Sequence, residues 1–200
     1  MTSENRNIER TSTKARILEA TLNILSSDGF QHVTIRKIAQ LAQVNVAAVN
    51  YHFGSKDTVI TESLEYLMVL ATDIFQCLKV SDMPPEDRLR QFLEKYICSL
   101  MKYHDQVNFL IHRSTYKNAS RNNYQEFLRT EGFETLSSVI RLLRPEDDDF
   151  TLRIRATQLI SSISFPILLG DRATEILPID LNVPNTRTAY IEAILRAICP

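Results

Sequence analysis

The sequence of 200 residues predicts an all-α protein in which an N-terminal three-helix unit, built around a helix-turn-helix, precedes a larger helical domain, about nine helices in total. Apolar residues recur at helical spacing in one segment after another. Two short helices with capping residues lie back to back between Thr34 and Lys56, and the strongest breaker cluster, KVSDMPP from Lys79 to Pro85, separates longer helical patterns.

Taken in order, Met1 to about Arg10 holds few large apolar residues and is expected to be mobile without a partner. Its basic residues Arg6 and Arg10, with Lys14, offer contacts to a phosphate backbone or minor groove, although a solvated tail is the simpler reading. From Ser12 or Thr13 a helix is expected, with Ala15, Leu18, Leu22 and Leu25 on one stripe and Ile17 and Ile24 beside it. Asp28-Gly29 ends it. Thr34 then serves as N-cap for Ile35, Ile38, Ala39 and Ala42, whose periodicity breaks at Gln43-Val44. Asn45 caps a second short helix, Val46 to Phe53, which Gly54 stops. Neither is long enough to stand alone, so the first helix must bury their backs.

Two short helices joined by a three- or four-residue turn form a unit whose second helix can lie in the major groove of DNA. Arg36 and Lys37 stand on the first of them, while Asn50, Tyr51, His52 and Lys56 bring donors to the second and to the turn after it. Read alone, such a pair is more often ordinary packing.

Ser55 is expected to cap the next helix, with Asp57 well placed in its first turn, and Leu64, Leu67, Met68, Ala71, Ile74, Phe75 and Leu78 continue its stripe. Beyond Pro85, Leu89, Phe92, Leu93, Tyr96, Ile97 and Leu100 mark a helix ending near His104, and a shorter one is expected from about Gln106 to Tyr116. Asn118 to Asn123 reads as loop. Tyr124 to Leu143 forms a helix interrupted by Gly132 and stopped by Pro145. The acidic run Glu146 to Asp149 suits the positive end of the helix that follows, about Phe150 to Leu169, better than a metal site, because no second cluster completes a coordination sphere. Pro166 is expected to bend that helix. Gly170 to Pro184 reads as loop and Thr186 to Ile198 as the last helix.

Composition narrows the function. The net charge is −1, and Lys and Arg exceed Asp and Glu by about three up to Lys56, a basic excess too small to decide anything alone. Cys77, Cys98 and Cys199 are odd in number and far apart, so reduced, mostly buried thiols are expected rather than a disulfide framework or zinc site. No apolar run approaches a membrane span and the N-terminus has no apolar leader, which reads as a cytoplasmic protein. No nucleophile elbow, phosphate loop or HExxH run appears, so an enzyme is not expected, nor a cofactor or a metal. An all-helical interaction protein with a merely structural helix-turn-helix stays open; it would lack salt-dependent duplex binding.

Several pieces stand in register across Lys14 to Ile60: Ile17-Leu18-Glu19-Ala20, Gly29-Phe30, Val33-Thr34-Ile35 before Ile38-Ala39, and Tyr51-His52-Phe53-Gly54-Ser55-Lys56. Together they resemble the DNA-binding domain of the tetracycline-repressor (TetR) family of bacterial regulators. The resemblance implies a dimeric, all-helical transcription factor, usually a repressor of a palindromic operator, with a head at residues 1–57 and an effector-binding and dimerisation domain at 58–200. Its last two long helices would pack on a second copy as a four-helix bundle, and a small molecule would release the DNA. Two departures matter: the family usually has Gly where this chain has Gln43, and Tyr where it has Asn50. Gln43 must therefore adopt a left-handed conformation at a cost of about 1 kcal/mol.

The candidate DNA-binding residues are Thr34, Arg36, Lys37, Asn45, Val46, Ala47, Asn50, Tyr51, His52 and Lys56. Thr34, Tyr51, His52 and Lys56 are expected on phosphates, with Arg36, Val46, Ala47 and Asn50 near base edges. An aromatic effector cavity would be lined by Tyr96, Tyr103, Phe109, His112, Tyr116, Phe127 and Phe165, unless these are core filler.

Overall fold

The computed structural model describes residues 3–112, 126–170 and 173–199. Their regular structure is helical throughout: α1 Ser3–Ser27, α2 Ile35–Leu41, α3 Val46–Phe53, α4 Lys56–Gln76, α5 Pro85–His112, α6 Phe133–Leu143, α7 Asp149–Leu168 and α8 Pro184–Ile198. Short 3-10 turns at Phe30–His32 and Cys77–Lys79, a π turn at Leu128–Gly132 and a single α turn at Ala173–Ile176 complete the set. The chain divides into two compact units, one built on residues up to Met68 with 108–112 and the other on Val69–Val107 and the described residues from 126 onward.

In the first unit, α1 supplies the floor. Ile17, Leu18, Leu22, Ile24 and Leu25 are buried, as are Ile38 and Ala39 of α2, Val49 and Phe53 of α3, and Val59, Ile60 and Leu64 of α4. With seven residues in α2 and eight in α3, neither reaches the roughly 12 to 15 needed for a helix to persist alone in water, so this burial holds them. Lys14 Nζ lies 2.7 Å from Glu62 Oε2 and 5.5 Å from the centre of the Phe53 ring. The backbone of α1 is helical from Ser3 rather than from Ser12 or Thr13. No Gly or Pro stands between Ser3 and Ser27 to break it.

In the second unit, Phe92, Leu93 and Ile97 of α5, Leu136 and Ile140 of α6, Leu152 and Ile163 of α7 and Ile194 and Leu195 of α8 form one core. Arg144, just after α6, donates from Nε to the Ile198 carbonyl at 2.7 Å and from Nη2 to the Cys199 carbonyl at 3.1 Å. Carbonyls at the end of α8, which have no partner within their own helix, are thereby satisfied. The boundary expected near His104 appears as a kink in one helix, where Tyr103 takes φ −121° and ψ 24°. Gly132 ends the π turn that interrupts the helical run before α6, and the expected loop at Gly170 to Pro184 contains the turn Ala173–Ile176.

Of the aromatic set read as either cavity lining or core filler, Tyr96 and Tyr103 are buried and Phe127 is partly buried against the core. Phe92 stacks on Tyr96 with centroids 5.4 Å apart, and Phe75 meets Phe92 and Phe127 edge-on at 4.9 and 5.2 Å, so these rings are core. Phe165 is 61% exposed. The loop expected at Asn118 to Asn123 lies outside the described residues, as do Tyr116, Tyr124 and the side chains of Arg6, Arg10, Phe109 and His112. A cavity of about 220 Å³ opens elsewhere in this unit, lined by Met101, His104, Ile167, Leu177, Ile179, Asp180 and Leu181 among others. Of the three thiols only Cys77 is buried; Cys98 is exposed and Cys199 half-buried, and all three are free. Among the described residues no cluster of ligating side chains is spaced for a metal ion, and no helix is long and apolar enough to cross a membrane.

Candidate nucleic-acid interface

Local capping sets both helices of the helix-turn-helix. Thr34 is extended, and its side chain accepts from the Lys37 amide at 3.2 Å, which starts α2. The Asn45 side-chain oxygen accepts from the Ala48 amide at 2.6 Å and starts α3. Gly54, at φ 72°, ends α3, and the Ser55 hydroxyl then accepts from the Thr58 amide at 3.1 Å to open α4. Residues 42–45 make the turn between α2 and α3, and Gln43 does take the left-handed conformation, at φ 53°.

This framing divides α3 into two faces. Val49 and Phe53 point into the head and are buried, while Val46, Ala47, Asn50 and Tyr51 are exposed on the opposite side, adjacent at helical spacing. Tyr51 is 70% exposed, and its ring meets that of His52 edge-on at 5.3 Å; His52 is half-buried. Arg36 and Thr34 are exposed on α2 and at its cap. The face offers two small apolar side chains, an amide, a phenol and a guanidinium, which suits contact with thymine methyls, base edges and phosphates.

The two lysines of the expected set are held within the head. Lys37 Nζ lies 2.6 Å from Asp28 Oδ2, and this hydrogen bond draws the Asp28 carboxyl below its usual range. Lys56 Nζ donates to the Phe30 carbonyl at 3.3 Å and sits 4.7 Å from the centre of the Phe30 ring. An ammonium has three donors, so neither contact exhausts its lysine. Absent from the sequence-based set is Arg16 of α1, whose Nη2 donates to the carbonyls of Ala42 and Gln43, the latter at 2.8 Å. Its partners lie 26 and 27 residues away, so no local pattern marks it.

Residues 17–62 match the family model described as bacterial regulatory proteins, tetR family. The matched stretch runs from the buried part of α1 through both helices of the helix-turn-helix into α4. Over that stretch the chain is similar to the tetR family. Among relatives, it is similar to the HTH-type transcriptional repressor NicS of Pseudomonas putida, 30% identical over 81 residues, or 40% of this chain and 38% of NicS. The chain thus aligns with about two fifths of NicS. It is also 25% identical over 194 residues to the protein named Probable HTH-type transcriptional regulator YttP of Bacillus subtilis, covering 92% of this chain and 91% of YttP. Among solved structures, the TetR family regulator PfmR of Thermus thermophilus has the same fold, with a TM-score of 0.63 and 21% identity over 90% of this chain and 97% of PfmR. The helix-turn-helix is where this chain matches that family model.

Proposed function

We propose that this chain is a tetR-family repressor that grips a palindromic operator as a homodimer and lets go when a small molecule binds its second unit. One observation carries the proposal: the face of α3 holding Val46, Ala47, Asn50 and Tyr51 is solvent-exposed, while the opposite face is buried in the head. Thr34, Tyr51, His52 and Lys56 hold phosphates. Arg36, Val46, Ala47 and Asn50 approach base edges, and Asn50 can bond an adenine in bidentate fashion. Lys37 joins the phosphate contacts by leaving Asp28, and Asn45 acts by fixing the start of α3.

The homodimer uses α7 and α8. On α7, Phe150, Ile154 and Phe165 are exposed at positions that repeat along one side, and on α8 the small residues Ala189, Ala193 and Ala197 are exposed at every fourth position. Small residues let a second pair of helices approach closely. The cavity lined by Met101, His104, Ile167 and Leu181 is the candidate effector site, its wall mixing aliphatic side chains with an imidazole and a carboxylate. Repression, rather than activation, is favoured by the name of NicS, a transcriptional repressor.

The test is selection of duplexes from a random pool by the purified chain at low salt, followed by a screen for small molecules that release them. A two-fold symmetric site with half-sites about one helical turn apart is expected, with affinity falling steeply as salt rises. Failure to retain any duplex at low ionic strength would leave the helix-turn-helix structural and overturn the proposal.

A further inference from the structure

The turn between α2 and α3 carries a residue its backbone does not favour. Gln43, at φ 53°, has the one positive φ among the described non-glycine residues, and there its Cβ crowds the following carbonyl oxygen. The turn is closed locally by the amides of Ala42, Gln43 and Val44, which donate to Ile38, Gln40 and Ala39 carbonyls at 2.8, 3.2 and 2.9 Å. Those bonds leave the carbonyls of Ala42 and Gln43, at the negative end of the α2 dipole, to be satisfied from outside. Arg16 supplies both contacts from α1.

From this geometry we infer that Arg16 is a positioning residue for DNA recognition: it latches the strained Gln43 turn and so fixes the presentation of Val46, Ala47 and Asn50 by α3. The inference rests on the DNA-binding reading of α3. Asn45, two residues after Gln43, caps α3 through the Ala48 amide, so a turn that relaxes carries the first turn of α3 with it. With its Nη2 directed at two backbone carbonyls, Arg16 acts on the turn rather than on phosphate. A glycine at 43 would adopt the same conformation without strain and would need the latch less.

The test compares the full-length chain with R16A, Q43G and the R16A/Q43G double variant, titrated against a selected duplex and a scrambled one over a range of salt. R16A is expected to weaken the selected duplex about tenfold, to leave the scrambled one nearly unchanged, and to keep the salt slope. In the Q43G background the same change is expected to cost under about threefold. An equal loss in both backgrounds, or a salt slope smaller by about one, would make Arg16 a plain phosphate contact and overturn the latch. Hydrogen exchange without DNA decides the latch separately: the amides from Val44 to Asn50 should exchange faster in R16A and be largely restored in the double variant. Unchanged exchange in R16A would sink it. If the unaltered chain retains no duplex at all, the functional reading fails, and exchange alone judges the turn.

Discussion

In the proposed interface, Lys37 and Lys56 would serve the fold and the ligand in turn. Lys37 is paired with Asp28, both side chains partly exposed. Exposed pairs are weak and screened by salt, so a phosphate can displace the carboxylate at little cost. Asp28→Asn should accordingly raise affinity modestly for every duplex alike, as measured by anisotropy at fixed salt; a change confined to one sequence would contradict this role. Lys56 differs because its stem and charge rest on Phe30. Lys56→Ala should weaken all sequences together and reduce the salt slope by about one. Asn50→Ala should instead change preference at one base position by about 1 to 3 kcal/mol while sparing non-specific binding. Selection with each variant separates the two. If both changes leave operator binding untouched in a folded dimer, these roles are wrongly assigned.

Capping ties the helices to sequence most directly, and caps are the features most readily read from it. Thr34, Asn45 and Ser55 each accept a bond from an amide three residues on, a contact local enough to leave its mark in adjacent letters. Asn45→Ala should cost about 1 kcal/mol, read as a lower Tm with loss of operator affinity. Asp148 caps α7 in the same manner, accepting from the Thr151 amide at 2.7 Å. Hydrogen bonds from Thr151 hold its carboxyl below the ordinary aspartate value of 3.8. The stabilisation is present above that value and is lost as pH falls through the lower folded one. Asp148→Asn, which still caps, should keep the helix and flatten the fall of Tm below about pH 4. An unchanged acid limb would show that Asp148 does not contribute to it. What escapes the sequence depends on distant partners. Arg16 finds its carbonyls across the head, and Lys14 pairs with Glu62 from a distant segment. The rings of Phe75, Phe92, Tyr96 and Phe127 meet from separate segments as core. Helical spacing alone cannot tell such a cluster from a pocket lining.

At the scale of the whole molecule, the outward side of α7 asks for a partner. Phe150 is 72% exposed and Phe165 61%, on a helix whose other side is already buried. An aromatic side chain buries about 150 to 250 Å² and a standard interface about 800 Å² per partner, so two phenylalanines with Ile154 supply a large part of the apolar area that a pair of chains needs. Tyr190 secures the neighbouring helix by donating its hydroxyl to the Ser162 carbonyl at 2.6 Å, so α8 is fixed against α7 before any second copy arrives. Because a single helix-turn-helix touches few phosphates, pairing two of them multiplies the hold on a symmetric site far more than on a half-site. Phe165→Glu places a charge where the second copy would pack, while the exposed position spares the chain's own core. The variant should keep its helical circular dichroism, elute as a monomer, and lose operator affinity by at least about a hundredfold while binding an isolated half-site nearly as before. A Phe165→Glu chain that stays dimeric with undiminished operator affinity would place the dimer contact elsewhere, and the exposed rings of α7 would need another partner.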